Sequence, residues 1–170
     1  MLKRFVTVFL TVCGILALCS GCKSKAEPIQ PVTQGFVCEA NVKYGDKSLK
    51  CELLAPGGGI FVVRVKEPKL LNGLEFNWNA DEFNISYKGL NYSVDPSALP
   101  EAAFIKALKN VFSNVGVESS FKVVEDGYVF EGGSESGDYK LTVSHDGIPI
   151  SLSIPALDMK VQFVNFKLNK

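Results

Sequence analysis

Apolar and polar residues alternate along most of the chain from residue 35 onward. In the stretch 36–44 the even positions are all apolar or aromatic, whereas Glu39, Asn41 and Lys43 occupy odd positions. Side chains of a strand point alternately to its two faces, so this spacing predicts a strand with one buried and one solvent-exposed face. A turn at Gly45 and Asp46, followed by the same alternation, predicts a hairpin with the segment 48–54.

The same period of two predicts further antiparallel strands on both sides of residue 100. In the segment 83–94 the apolar positions continue around Gly89, so we expect Leu90, Tyr92 and Val94 to face inward. In the last segment the apolar side chains change parity, which predicts a bulge near Phe163 and Val164. The segments are 57–68, 73–79, 83–94, 121–124, 127–131, 139–145, 148–154 and 159–168.

One segment has helical spacing instead. Pro96 and Pro100 mark a turn before it, and its large apolar residues recur every three or four positions. This stripe predicts an amphipathic helix over 101–115 that lies on the apolar face of the sheet. The residues of the stripe are Phe104, Ile105, Leu108, Val111 and Phe112.

These elements amount to about ten antiparallel strands and one helix, a mainly β fold of the α+β class. A sheet of that width does not stay flat, because the twist between neighbouring strands accumulates. We therefore predict a strongly curved antiparallel sheet or half-barrel that is covered on its apolar face by the amphipathic helix.

Residues 1–21 have the composition of an export signal. Lys3 and Arg4 precede the run 5–18, which is apolar apart from two threonines and one glycine. Such a run matches the roughly 7–15 apolar residues of a signal peptide and is shorter than the ~20 residues that span a bilayer. Two small residues, Ser20 and Gly21, then stand directly before Cys22, as a cleavage site requires.

This arrangement resembles the lipobox of bacterial lipoproteins, whose cysteine takes a diacylglyceryl group and becomes the first residue of the mature chain. Lipoboxes usually carry Leu at the position that Cys19 occupies here. The alternative, a redox or metal pair of Cys19 and Cys22, lacks further ligands and a thioredoxin-like context. The resemblance implies lipidation at Cys22. The stretch that follows contains lysines and two prolines but no periodic apolar pattern, so we predict a flexible tether over 22–34 before a single domain over 35–170. We expect the protein at the outer face of the bacterial cell membrane or elsewhere in the cell envelope, with the membrane as a partner through its lipid.

Charge argues against one class of partner. When Lys3 and Arg4 leave with the signal, 16 of the 18 basic residues remain, against 18 acidic ones. A nearly neutral chain has no electrostatic reason to bind nucleic acid. We expect no nucleic-acid partner and no cofactor, and the sequence identifies no protein partner.

Two cysteines of the domain, Cys38 and Cys51, lie on the apolar face of the first predicted hairpin. A two-residue turn at Gly45 and Asp46 places Cys38 opposite Leu53 and diagonal to Cys51, whereas a turn centred one residue earlier sets the cysteines face to face. Only the second arrangement gives the ~3.8 Å separation of Cβ atoms in a disulfide. Export permits this bond, and buried free thiols fit the pattern equally; we expect the disulfide.

Turn residues carry a resemblance to a known family. Pro68, Leu71 and Gly73 occupy the places of a P-x-x-L-x-G turn that starts a strand, and residues 147–149 form a G-x-P turn before the terminal strands. With strands before and after a central helix, the segment 35–170 resembles the lipoprotein-carrier (LolA/LolB-like) fold. That family holds acyl chains in an apolar half-barrel closed by helices, usually more than the single helix that this chain offers.

Carried over, the resemblance implies a lipid-binding cavity lined by inward residues of three strands and the helix. These residues are Phe61, Val63, Leu74, Phe76, Trp78, Phe83, Ile85, Tyr87, Phe104 and Leu108. Apolar residues on a sheet face are more often plain packing, so a filled core is the other interpretation. The two hypotheses are a membrane-anchored, non-enzymatic lipid-binding lipoprotein and a cell-envelope scaffold or interaction lipoprotein without a ligand.

Candidate catalytic residues are few. The single histidine, His145, cannot build a multi-histidine metal site, and it stands beside Asp146 in a predicted hairpin turn. The glycines at 57–59 lack the Lys and Ser or Thr of a phosphate-binding loop. The sequence therefore predicts neither enzyme activity nor a metal site.

Overall fold

The computed structural model describes residues 29–80, 82–99, 103–116 and 119–169. The predicted signal peptide, Cys22 and the first part of the predicted tether lie outside the described residues. The helix begins at Phe104, three residues after the predicted start, and is bounded as α1 Phe104–Asn114. The strands are β1 Phe36–Tyr44, β2 Lys47–Gly57, β3 Ile60–Glu67, β4 Glu75–Asn79, β5 Glu82–Tyr87, β6 Leu90–Val94, β7 Ser120–Val124, β8 Gly127–Gly132, β9 Tyr139–Val143, β10 Pro149–Ile154 and β11 Met159–Leu168.

All eleven strands form one antiparallel sheet in the order β6-β5-β4-β3-β2-β1-β11-β10-β9-β8-β7. Strands that follow each other in the chain are neighbours in the sheet, except β6 and β7, which α1 separates in the chain. The first and last strands, β1 and β11, pair in the middle of the sheet. β6 and β7 are the two edges, so the sheet is open. The prediction of a curved antiparallel sheet covered by one helix is confirmed, with one strand more than expected.

The helix lies on the apolar face of the sheet because its apolar stripe is buried there. Ile105, Leu108 and Val111 are buried, and the ring of Phe112 packs against three strands. Its centroid lies 5.4 Å from that of Phe36, 5.7 Å from Phe61 and 5.6 Å from Phe163. Full burial of a side chain of this size contributes about 1.5–3 kcal/mol, so the stripe fixes α1 over β1, β3 and β11. We call the helix-covered face of the sheet the inner face.

The segment 83–94 is a hairpin rather than one bent strand. Lys88 and Gly89 both have positive φ angles, 51° and 83°, which suits the two-residue turn between β5 and β6. Leu90 and Tyr92 pair with Tyr87 and Ile85, so they lie on the inner face as predicted. Each is nevertheless 57% exposed, because β6 is an edge strand of the sheet.

The bulge in β11 lies close to its predicted place. Val37 pairs with Lys167 and Glu39 with Val164, so three residues of β11 span two of β1. Asn165, inside this interval, has a φ of 53°, a conformation that Asn tolerates better than most residues. The bulge therefore lies one or two positions later than expected.

The last residues of the predicted tether belong to the folded domain. Pro31 is buried, and the Val32 amide donates to the Gly147 carbonyl oxygen at 2.9 Å. A Cβ on Gly116 would lie 3.6 Å from Pro31, which shows how closely this segment passes the end of α1. The expectation of a flexible tether is thus wrong for residues 29–34, because apolar packing and a backbone hydrogen bond hold them.

The strand directions define two ends of the molecule. We call the end where residues 29–34 reach the sheet the entry end; it also carries the turns after β2, β4 and β9. The opposite, far end carries the turns after β1, β3, β5 and β10. Helix α1 runs from the far end, where Phe104 meets Tyr44, to the entry end, where Phe112 meets Phe36.

Candidate functional site

Half of the residues predicted to line a lipid cavity lie in a filled core. Five of the ten are at most 4% exposed: Phe61, Val63, Trp78, Phe83 and Leu108. The rings of Trp78 and Phe83 lie 4.5 Å apart, and Phe61 packs on Phe112 of the helix. This part of the inner face is therefore occupied by the protein's own side chains.

The other five predicted residues lie at the border of that core. Leu74, Phe76, Ile85, Tyr87 and Phe104 are partly exposed. Phe76 meets Phe104 edge to face, with ring centroids 5.8 Å apart, and stacks beside Phe83 at 6.3 Å. Helix α1 thus covers the inner face as far as β4 and leaves the surface beyond it accessible.

One row of paired residues shows how the inner face opens. Val63 on β3 pairs with Phe76 on β4, Phe76 with Ile85 on β5, and Ile85 with Tyr92 on β6. Along this row the exposed fraction rises from 0% at Val63, through two half-buried side chains, to 57% at Tyr92. The apolar face is continuous, and only its cover ends. We name this accessible surface the open rim: Leu74, Phe76, Ile85, Tyr87, Leu90 and Tyr92.

The far end of the open rim is held by contacts between two turns. The Tyr87 hydroxyl donates to the carbonyl oxygen of Leu70, in the turn between β3 and β4. Lys88 places its Nζ 4.9 Å from the centroid of the Tyr87 ring. Leu70 itself is 77% exposed. The far end of the open rim thus presents exposed apolar surface beside a positive charge.

Cys38 and Cys51 do not face each other. Tyr44 pairs with Lys47, so Gly45 and Asp46 form the two-residue turn, and Cys38 is opposite Leu53 while Cys51 is opposite Ala40. The structure has both as free, buried cysteines, so the expected disulfide is not formed in it. Loss of solvation on burial raises the pKa of both thiols to about 12, and the neighbouring Glu39 adds to the effect at Cys38.

His145 lies in the turn between β9 and β10, as its position beside Asp146 predicts. Its Nε2 is 3.1 Å from the carbonyl oxygen of Glu125, and its ring meets Tyr128 edge on at 5.9 Å. Within the described parts of the chain, no three His, Cys, Asp or Glu side chains are grouped so that they could hold a metal ion.

No helix within the described residues has the length and apolar character needed to cross a membrane.

No protein-family model matches this chain, and no curated protein matches it in sequence. Among solved structures, its fold is similar to that of an uncharacterized conserved protein from Thermus thermophilus, with 13% identity and a TM-score of 0.52 over 81% of this chain and 80% of that one.

Two further structures are similar at a TM-score of 0.45. One is a LolA superfamily protein from Nitrosomonas europaea, 10% identical over 84% of this chain and 89% of that one. The other is a DUF1329 family protein from Desulfovibrio piger, 13% identical over 81% of this chain and 87% of that one. The Thermus likeness establishes the fold alone, so any function has to be argued from the residues of this chain.

Proposed function

We propose that this protein binds the acyl chain of a lipid on the open rim and performs no covalent chemistry. The observation that carries the proposal is the row from Val63 to Tyr92, in which an unbroken apolar face passes from full burial to 57% exposure. An edge strand with exposed apolar residues is a liability unless something covers it. An acyl chain laid along β5 and β6 would extend the core that α1 begins.

The number of acyl-chain carbons that contact the open rim sets the affinity of such binding. Each CH₂ group that leaves water contributes about 0.8 kcal/mol, so an eight-carbon contact supplies about 6 kcal/mol before the costs of association. That gross value corresponds to a dissociation constant in the range of about 10⁻⁵ to 10⁻⁴ M, and association costs weaken it further. The open rim is therefore suited to a lipid that arrives and leaves rather than to permanent storage.

Lipidation of Cys22 would place the domain next to a source of acyl chains. Seven residue steps separate Cys22 from residue 29, the first of the described residues, and an extended chain covers at most about 25 Å in that interval. A bacterial lipoprotein with two acyl chains on this cysteine would stay at its membrane, since two chains anchor far more firmly than one. The proposed location is the cell envelope.

Binding to the open rim is tested with a fluorescent fatty-acid probe and two sets of variants. Leu90→Ser together with Tyr92→Ser removes the exposed apolar groups while leaving the buried core intact. Leu168→Ser is the matched control, because Leu168 is 56% exposed but lies at the entry end. We expect the double variant to weaken probe binding by at least about tenfold, equivalent to 1.4 kcal/mol, and the control to bind as the parent protein does. Equal loss in both variants, or no binding to the parent protein, would contradict the proposal.

Anchoring is tested separately by metabolic labelling with a fatty acid. Cys22→Ala should abolish the label and leave the precursor uncleaved, whereas Cys19→Ala should leave both labelling and cleavage intact. The reverse result would move the anchor to Cys19. If both variants keep the label, neither cysteine is the lipid anchor, and the lipoprotein assignment is wrong.

A scaffold without a ligand is the second candidate function, and the filled core favours it. Phe61 and Val63 on β3 and Leu108 on α1 are at most 4% exposed, so the protein's own side chains fill this part of the inner face. Mass spectrometry of lipid extracted from protein purified out of its own cells separates the two candidates. Bound lipid supports the first, and its absence, together with a parent protein that fails to bind the probe, supports the scaffold.

A further inference from the structure

The outer face of the sheet carries a groove of about 730 Å³ across β2, β1, β11 and β10. Lys43 pairs with Lys160, Asn41 with Gln162, and Ser153 with Lys160. The residues that alternate with these along the strands, Val42, Leu152 and Val161, are each 2% exposed and belong to the core. The paired side chains therefore point to the opposite face, away from the helix and the open rim.

Two positive charges are opposed in this groove. Lys43 on β1 and Lys160 on β11 are directly opposite each other and exposed. Opposed side chains of an antiparallel pair have Cβ atoms about 4.5–5.5 Å apart, and like charges at that distance destabilise the sheet. Within the described residues neither lysine has a carboxylate partner.

Two other lysines on the outer face are paired with carboxylates. Lys140 on β9 is directly opposite Ser153, and its Nζ lies 2.9 Å from a carboxylate oxygen of Glu131. Lys50, at the opposite side of the groove, lies 2.8 Å from Glu67, which is the acidic residue of the lining. The one carboxylate in the groove is therefore already engaged, and the lining keeps an excess of two positive charges at Lys43 and Lys160.

From these observations we infer that the groove is a binding site for a phosphate group. A phosphate monoester carries a charge of about −1.5 to −2 at neutral pH, which matches the two opposed ammonium groups. Lysine binds phosphate as a mobile point charge, and the hydroxyl of Ser153 and the amides of Asn41 and Gln162 supply neutral donors. The volume of the groove lies within the range of small-ligand sites. The site is separate from the open rim, so it does not depend on the lipid proposal.

The phosphate can belong to a soluble monoester or to a lipid headgroup, and two measurements distinguish them. Calorimetric titration with glycerol 3-phosphate tests the soluble source. Sedimentation with phosphatidylcholine vesicles, with and without phosphatidic acid, tests the headgroup, and the difference between the two vesicle types is the quantity compared. Lys43→Gln with Lys160→Gln removes the opposed charges, and Lys47→Gln with Lys167→Gln removes two exposed lysines outside the groove as a control of equal net charge.

We expect the Lys43→Gln, Lys160→Gln variant to bind at least about tenfold more weakly than the parent protein. The affinity of the control variant should change by no more than about twofold. Both expectations apply to glycerol 3-phosphate or to phosphatidic acid vesicles, depending on which of them the parent protein binds. The melting temperature of the groove variant should be unchanged or higher, because the substitution removes like-charge opposition. Response to glycerol 3-phosphate assigns a soluble ligand, and response to phosphatidic acid alone assigns a headgroup. The inference is overturned if the parent protein binds neither source, or if both double variants lose binding equally.

Discussion

Burial controls the chemistry of the two thiols in the first hairpin. Cys38 and Cys51 are at most 2% exposed, and the pKa of each is raised to about 12. Because the thiolate is the reactive form, both should be inert at neutral pH, although they lie on the same face of the hairpin in pairs that are two residues apart. They serve as small apolar side chains of the core.

Alkylation tests this inertness. In the native protein at about pH 8, iodoacetamide should label neither Cys38 nor Cys51, whereas both should be labelled in denaturant. Intact mass should show no gain of about two daltons on reduction, because no bond joins them. Labelling of either thiol in the native state would show that the hairpin opens and exposes it.

The same thiols predict a loss of stability in alkaline solution. Their folded-state pKa, about 12, is above the ordinary value of 9.0, so the folded protein holds these protons more tightly than the unfolded chain does. The free energy of unfolding should be unaffected below about pH 8 and should fall as the pH rises through 9 toward 12. Denaturant titrations of the parent protein and of Cys38→Ala with Cys51→Ala measure it. The slope with pH should be smaller in the variant, and identical slopes would contradict the assignment.

At the scale of elements, α1 owes its position to its buried stripe. Leu108 is 0% exposed, so Leu108→Ala removes packing that the surroundings only partly recover, and we expect a loss of about 2–5 kcal/mol in the free energy of unfolding. Ser113→Ala, on the exposed side of the same helix, should change it by no more than about 0.5 kcal/mol. Chemical denaturation followed through Trp78, the single tryptophan, measures both variants. Similar effects of the two substitutions would mean that the helix is not held by its apolar face.

The segment 29–34 is held in place through a close approach to Gly147. A Cβ at this position would lie 2.5 Å from the carbonyl oxygen of Gln30, so Gly147→Ala should displace the segment. The Val32 amide, which donates to Gly147, should then exchange its hydrogen at least about tenfold faster. Gly58→Ala is the control, since Gly58 has a similar φ of +65° but nothing within 4 Å of the added atom. Faster exchange in both variants would point to backbone strain rather than to the contact.

Alternation along the chain predicts which face a residue occupies but not whether that face is covered. The even residues of 36–42 are buried as expected, whereas Leu90 and Tyr92 share the inner face and remain exposed. Cover depends on where α1 lies, and no spacing within a strand encodes that position. The docking of 29–34 also had no periodic signal, because it rests on one buried proline and one backbone bond.

For the whole molecule, the candidate sites lie on opposite faces of one sheet. The resemblance to lipid carriers pointed to the inner face, and five of the ten residues it implied are in the filled core while five lie at or beside the open rim. The opposed lysines were not predicted from the sequence, because Lys43 and Lys160 become neighbours only through the pairing of β1 with β11. Long-range register, rather than local pattern, created that charge pair.

That central pairing also constrains the order in which the molecule is completed during synthesis. Hairpins between consecutive strands build β1 to β6 and β7 to β11 from local contacts, which form quickly. One side of β1, by contrast, stays without a partner until β11 has been made, since Phe36 pairs with Leu168 and Tyr44 with Met159. We therefore expect the pairing of β1 with β11 to form after the hairpins on either side of it. For a chain exported unfolded, as the predicted signal peptide implies, the sheet would be complete only after β11 has crossed the membrane.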